Sequence, residues 1–113
     1  MDLLILMFNM AQGEMVDMKF FIKDITNKLG ETRTDWKYPN RIGSVIEFLQ
    51  PAEIGEPAYF RYIKYNNGEL VEDHVTRTSR VNDLEWHHGK FYIYTRNSIY
   101  KFVPVYEEEK NED

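Results

Sequence analysis

The sequence predicts an all-β protein built as a small antiparallel barrel or strongly bent sheet. Three observations carry that expectation. Apolar, aromatic and β-branched residues recur in short runs with a period of two, the spacing of a half-buried strand. Turn residues separate those runs at regular intervals. No segment has the periodicity of a crossover helix, which parallel strands would need, so the sheet is expected to be antiparallel. The chain has 113 residues, enough for one domain with one core.

Met18 to Ile25 is the first expected strand, with Phe20 and Ile22 on one face and Phe21, Lys23 and Ile25 on the other. Residues 26–40 are polar, contain Gly30 and Pro39, and are expected to form a long loop. Trp36 and Tyr38 lie in that loop. Large aromatics in polar sequence dock on something, either a partner or the end of the barrel. Arg41 to Leu49 is the second strand, with Ile42, Ile46 and Phe48 in register, and Pro51 to Pro57 turns the chain. Ala58 to Tyr65 alternates, and Asn66-Asn67-Gly68 is a strong hairpin signal for a type I′ turn. Leu70 to Thr78 and Arg80 to Trp86 are read as two strands. His87-His88-Gly89 closes a hairpin with Phe91 to Thr95, Arg96-Asn97 turns again, and Ser98 to Val105 finishes. Six or seven short strands in a domain of this size close on themselves and so hide their edges. An SH3-like barrel is the first expectation and an OB-like barrel the second.

The β domain is assigned to residues 18–106. The leader, residues 1–17, holds four of the five Met, no base and no strand alternation. The codons for Gln12-Gly13-Glu14 can spell AAGGAG at a usable distance from Met18. This suggests a natural start at Met18 and a leader that is not native. The alternative is an amphipathic helix that packs Leu4, Ile5 and Phe8 on the barrel. Residues 107–113 form an acidic tail expected to be disordered.

Net charge is -5, and the two ends account for it. The leader and the tail carry -3 and -4, whereas the body holds 13 Lys and Arg against 11 Asp and Glu. The body is thus slightly basic, which disfavours a DNA mimic with acids across its strands. It is also weakly basic for a nucleic-acid binder, so a single-strand-binding or structural barrel module is kept only as a further alternative.

Several chemistries are excluded. The chain has no Cys, which removes disulfides, thiolate metal sites and Cys nucleophiles. The apolar run Leu3 to Phe8 is too short to span a bilayer. A cytoplasmic location fits both facts. His87 and His88 are adjacent and point apart, so with His74 and Glu85 they make a poor metal set. None of Ser44, Ser79 and Ser98 lies in a nucleophile elbow. Neither an enzyme, a cofactor nor a metal is expected.

The most specific stretches are Thr76-Arg77-Thr78-Ser79-Arg80-Val81 and Thr95-Arg96-Asn97-Ser98-Ile99-Tyr100. They flank one hairpin, so a meander brings them together. Arg77, Arg80 and Arg96 suit phosphate oxygens, and Asn97 and Ser98 suit the edge of a base or ribose. Tyr100 would pack beneath them. Tyr92 and Tyr94, with Trp36 and Tyr38, are candidate partner-binding residues. The structural alternative is that Thr and Ser serve the strands, Asn97 the turn, and Arg the exposed sheet.

The pair Thr78-Ser79-Arg80-Val81 and Thr95-Arg96-Asn97-Ser98-Ile99-Tyr100 resembles a closing hairpin of small proteins from Gram-positive bacteria and their phages. Among such proteins are inhibitors of host defence. The resemblance implies a non-catalytic role in one of two forms. A nucleotide sponge sequesters a cyclic nucleotide-type signal. An anti-CRISPR-like protein occludes a host defence protein. Aromatics on both strand parities predict outward-facing rings and a homo-oligomer.

The tail from Glu107 to Asp113 has no apolar residue to bury. Its removal is expected to leave the melting temperature unchanged, whereas a loss above about 1 kcal/mol in a denaturant titration would mean that it docks on the body.

Overall fold

Alternating burial along β2, β3, β5 and β6 wraps the sheet around a core of phenylalanines. The computed structural model describes residues 18–106. The leader and the acidic tail lie outside the described residues. The order is β1 (Lys19–Thr26), a four-residue helix α1 (Tyr38–Arg41), β2 (Val45–Phe48), β3 (Pro57–Lys64), β4 (Val75–His87), β5 (Lys90–Thr95) and β6 (Ile99–Val105). Each strand pairs antiparallel with the next, and β6 returns to β1 to close the ring. The all-β, antiparallel expectation therefore holds. Neighbours in the ring are neighbours in sequence, an up-and-down order without the Greek-key crossing of an OB-like barrel.

Phe20, Phe48, Phe60, Phe91 and Phe102 come from β1, β2, β3, β5 and β6, and each is buried. Phe48 is the hub. Its ring centroid lies 5.2 to 6.1 Å from those of the other four, each contact edge-on. Such packing contributes beyond area burial alone. β4 supplies Val81, and half-buried Trp86 stacks on Phe91 at 5.1 Å.

Several local expectations are corrected. Ile25 is buried on the same side as Phe20 and Ile22, because a bulge between Ile22 and Asp24 moves one residue out of register. The second strand is only Val45–Phe48; the chain from Tyr38 to Arg41 is helical, and Gly43 then turns at φ 94°. The expected type I′ turn at Asn66-Asn67-Gly68 does not form. Only Gly68 has positive φ there, and Gly68 N–H donates to the Tyr65 carbonyl while Tyr65 and Glu69 pair. This is a three-residue loop ending in a left-handed glycine. Positive φ at successive turn residues occurs instead at His88 (51°) and Gly89 (78°), between paired His87 and Lys90.

The two strands expected on either side of Ser79 are one continuous strand, β4, of 13 residues. Its first half pairs with β3 as far as Pro57↔Arg80, and its second half pairs with β5 from Val81↔Thr95. The break seen in the sequence is a change of partner. The buried residues switch there from Thr76 and Thr78 to Val81.

Among the described residues, no helix is long and apolar enough to cross a membrane. Because Phe48 touches the four other core phenylalanines, Phe48→Ala is expected to cost about 3–5 kcal/mol, read from denaturant midpoints at constant slope. Phe48→Leu, which keeps more of the volume, is expected to cost far less.

Candidate functional site

One end of the ring replaces phenylalanine with polar side chains. Buried Thr76 donates its hydroxyl hydrogen to the Tyr62 hydroxyl at 3.0 Å. Buried Thr78 accepts from the Ala58 N–H at 2.9 Å. Tyr100 is 2% exposed, and its hydroxyl accepts from Arg41 Nη1 at 2.8 Å. Burial pushes the Tyr100 phenol up to about 12, although the Arg41 charge pulls it the other way. Tyr62 is also raised, first by burial, with its Thr76 bond opposing.

Above this floor the point where β4 changes partner meets the β5–β6 turn. Arg96 N–H donates to the Arg80 carbonyl at 2.9 Å, and Asn97 N–H donates to Ser79 Oγ at 3.2 Å. The two segments singled out in the sequence therefore lie side by side. Pro57 lies across from Arg80 on the β3 side. Together these surfaces bound a cleft of about 790 Å³.

Arg41, Arg77, Arg80 and Arg96 line this cleft, and no carboxylate does. Arg77, Arg80 and Arg96 are exposed. Among the described residues their side chains have no hydrogen-bond or ion-pair partner. Asn97 is exposed and joins the lining, and Tyr100 forms part of the floor. Ser98 does not join them. It is 1% exposed, its hydroxyl accepts from Arg33 Nη1 at 3.1 Å, and its N–H is held by Thr95 Oγ1 at 3.0 Å.

Trp36 and Tyr38 reach the same cleft from the loop before β2. Tyr38 is buried, whereas Trp36 is 67% exposed and holds a left-handed φ of 53°. The rings meet edge-on at 5.5 Å, and the Arg41 guanidinium lies 4.9 Å from the Trp36 ring. Arg33 ties this loop to the β5–β6 turn. It grips Asp35 with two nitrogens at 2.7 and 3.1 Å and donates to the Asn97 carbonyl at 2.8 Å. That bond to Arg33 holds the Asp35 carboxyl below its usual range. Lys28 Nζ adds a bond to the Thr95 carbonyl.

Tyr92 and Tyr94 stand elsewhere, half-buried on the outer face of β5. Their rings stack at 6.3 Å, Lys101 lies over Tyr92 at 5.9 Å, and Tyr94 donates to Glu85 Oε1 at 2.8 Å. Tyr94 is pushed up to about 12, first by burial and then by that bond to Glu85. The four aromatics grouped in the sequence thus fall in two places.

The sequence reasoning missed Arg41, which bridges Tyr100 and Trp36, and Arg33, which fastens the loop. A signal was present: Arg33, Lys37 and Arg41 recur every fourth residue among Trp36 and Tyr38. Among the described residues no cluster of His, Asp and Glu could hold a metal ion. No protein-family model, curated protein or solved structure matches the chain.

The Tyr100 phenol has a sign that can be tested. Its pKa rises on folding from 10.0 to about 12, so the folded state holds its proton longer than the unfolded chain does. The associated stability is complete below pH 10 and is lost as the pH climbs towards 12. Tyr100→Phe is expected to flatten that part of the stability–pH curve and to remove one late-titrating phenol from an absorbance titration.

Proposed function

We propose that the protein is a non-catalytic binding protein that sequesters a phosphorylated nucleotide in the arginine-lined cleft. The observation that carries this is a cleft with four arginines and no carboxylate, on a chain whose net charge is -5. Guanidinium forks match phosphate oxygens two at a time, and unpartnered forks are ready to do so. The exposed face of Trp36 offers a stacking surface, and the Asn97 and Asn82 carboxamides offer donors and acceptors for a base or ribose. A bulky residue at the left-handed φ of Trp36 costs about 1–3 kcal/mol, and such strain gathers at ligand clamps. The cleft volume falls within the range usual for small-molecule sites. Sequestration of a host defence signal by a phage-encoded protein is the form of this function that the closing-hairpin resemblance implies.

A specific observation also favours occlusion of a defence protein. Tyr59, Tyr92 and Tyr94 are half-buried on the outside of the ring. Outward rings of this kind suit a protein partner or a second copy of the chain.

Calorimetric titration with adenine nucleotides, cyclic dinucleotides and cyclic ADP-ribose isomers separates the two. Saturable binding of a phosphorylated nucleotide is expected, weakened about tenfold or more by Arg80→Ala or Arg96→Ala at unchanged melting temperature. Absence of heat with every nucleotide would leave protein occlusion as the better account.

A further inference from the structure

A second cleft, of about 500 Å³, adjoins the first. Arg41 and Arg77 line both, so the two clefts meet along these two side chains. The second cleft also lacks a carboxylate, and Lys37 adds a further positive charge. Its aromatic surface is made by exposed His74 and half-buried Tyr65, which lie over the buried ring of Tyr62. The His74 ring lies 4.5 Å from that of Tyr62, and its Nδ1 is 2.8 Å from the Tyr65 hydroxyl. Its carboxamides are Asn40, Asn66 and Asn67.

Asn66 builds the wall between the hairpin and α1. Its Nδ2 donates to the carbonyls of Ile42 at 2.9 Å and Pro39 at 3.1 Å. Gly43 permits this approach: a Cβ there would lie 2.9 Å from the Asn66 Cβ. The β3–β4 hairpin and α1 are thereby fastened together, and the second cleft has fixed sides.

Each cleft therefore offers the same three things: an aromatic surface, carboxamides, and the shared pair Arg41 and Arg77. The first cleft alone adds Arg80 and Arg96, whose backbones are bonded to each other. A mononucleotide would use one cleft and leave the other empty.

We propose that the two clefts form one site for a dinucleotide, with one base in each cleft and the bridging phosphate on Arg41 and Arg77. This rests on the nucleotide binding proposed above and names its ligand class. Arg80 and Arg96 take a second phosphate group, so the ligand carries at least two. A free dinucleotide fits better than a step within a longer strand. The slightly basic body is weak for binding a polyanion, whereas charge is concentrated where the clefts join.

The test titrates the full chain with AMP, ADP, cyclic di-AMP, linear diadenylate bearing a 5′-phosphate, and a ten-residue oligoadenylate. Variants are His74→Ala, which touches only the second cleft, and Arg96→Ala, which touches only the first. His74→Gln is the substitute if the alanine variant melts early. At least one dinucleotide is expected to bind ten or more times tighter than AMP or ADP. His74→Ala should weaken dinucleotide binding about tenfold and leave ADP unchanged. Arg96→Ala should weaken both. If ADP binds as tightly as either dinucleotide and the His74 variants are silent, the two-cleft site is overturned while nucleotide binding stands. If the oligoadenylate binds tighter than both dinucleotides, the groove holds a strand and the proposal is overturned. If no phosphorylated probe binds, nucleotide binding itself fails and the two-cleft site with it.

Discussion

The contact of Phe48 with four other phenylalanines is the constraint on which the rest depends. β2 has four residues, too few for its ladder alone to hold it between β1 and β3. Burial of Ile46 and Phe48 fixes its register, because a slip by one residue would turn both to solvent. With β2 in place the ring closes, and every strand has two neighbours. Closure in turn removes the open edges that a sheet of this size would otherwise expose.

A barrel packed with large rings fills at its phenylalanine layer and must be finished differently at its ends. At the α1 end the finishing residues are Tyr62, Tyr100, Thr76 and Thr78, whose apolar parts complete the core while their hydroxyls find partners. Buried hydroxyls need such partners, and Arg41 serves Tyr100. The arginine that satisfies the core thus becomes the wall between two clefts. Packing and site are coupled through that one bond.

The period-two alternation, the turn residues and the lack of a crossover helix made the antiparallel sheet legible in the sequence. Register was less legible. The bulge after Ile22 brings Ile25 inward, and no residue type between them announces it. β4 reads as two strands because its buried parity changes near Ser79; only the pairing shows one strand changing partner. The juxtaposition of Arg80 with Arg96 was legible, since a meander requires it. The contribution of residues 33–41 was legible only as the every-fourth-residue spacing of Arg33, Lys37 and Arg41. How Arg33 and Asn66 pull this loop across the end of the ring was not, because such long-range bonds leave no local pattern. Ser98 looked available because its hydroxyl is small and polar, yet the tight turn after Thr95 turns it inward.

The way the arginines are partnered separates support from site. Arg61 pairs with Glu47 at 3.2 Å, and Arg33 pairs with Asp35 at 2.7 Å. Arg41 is held by a tyrosine hydroxyl and two aromatic faces. Arg77, Arg80 and Arg96 make no such bond among the described residues, although those residues include 11 Asp and Glu. Their clustering around one cleft keeps like charges close, a repulsion that a bound anion would relieve. Acids are plentiful on the same strand: Asp83 and Glu85 follow Arg80 on β4, and Glu85 is engaged by Tyr94 on the outer face. The partner change of β4 and the bulge between Val81 and Asp83 therefore sort the charges, with the β4 carboxylates Asp83 and Glu85 beside β5 and the arginines at the cleft. That sorting follows from the same strand geometry that closes the ring.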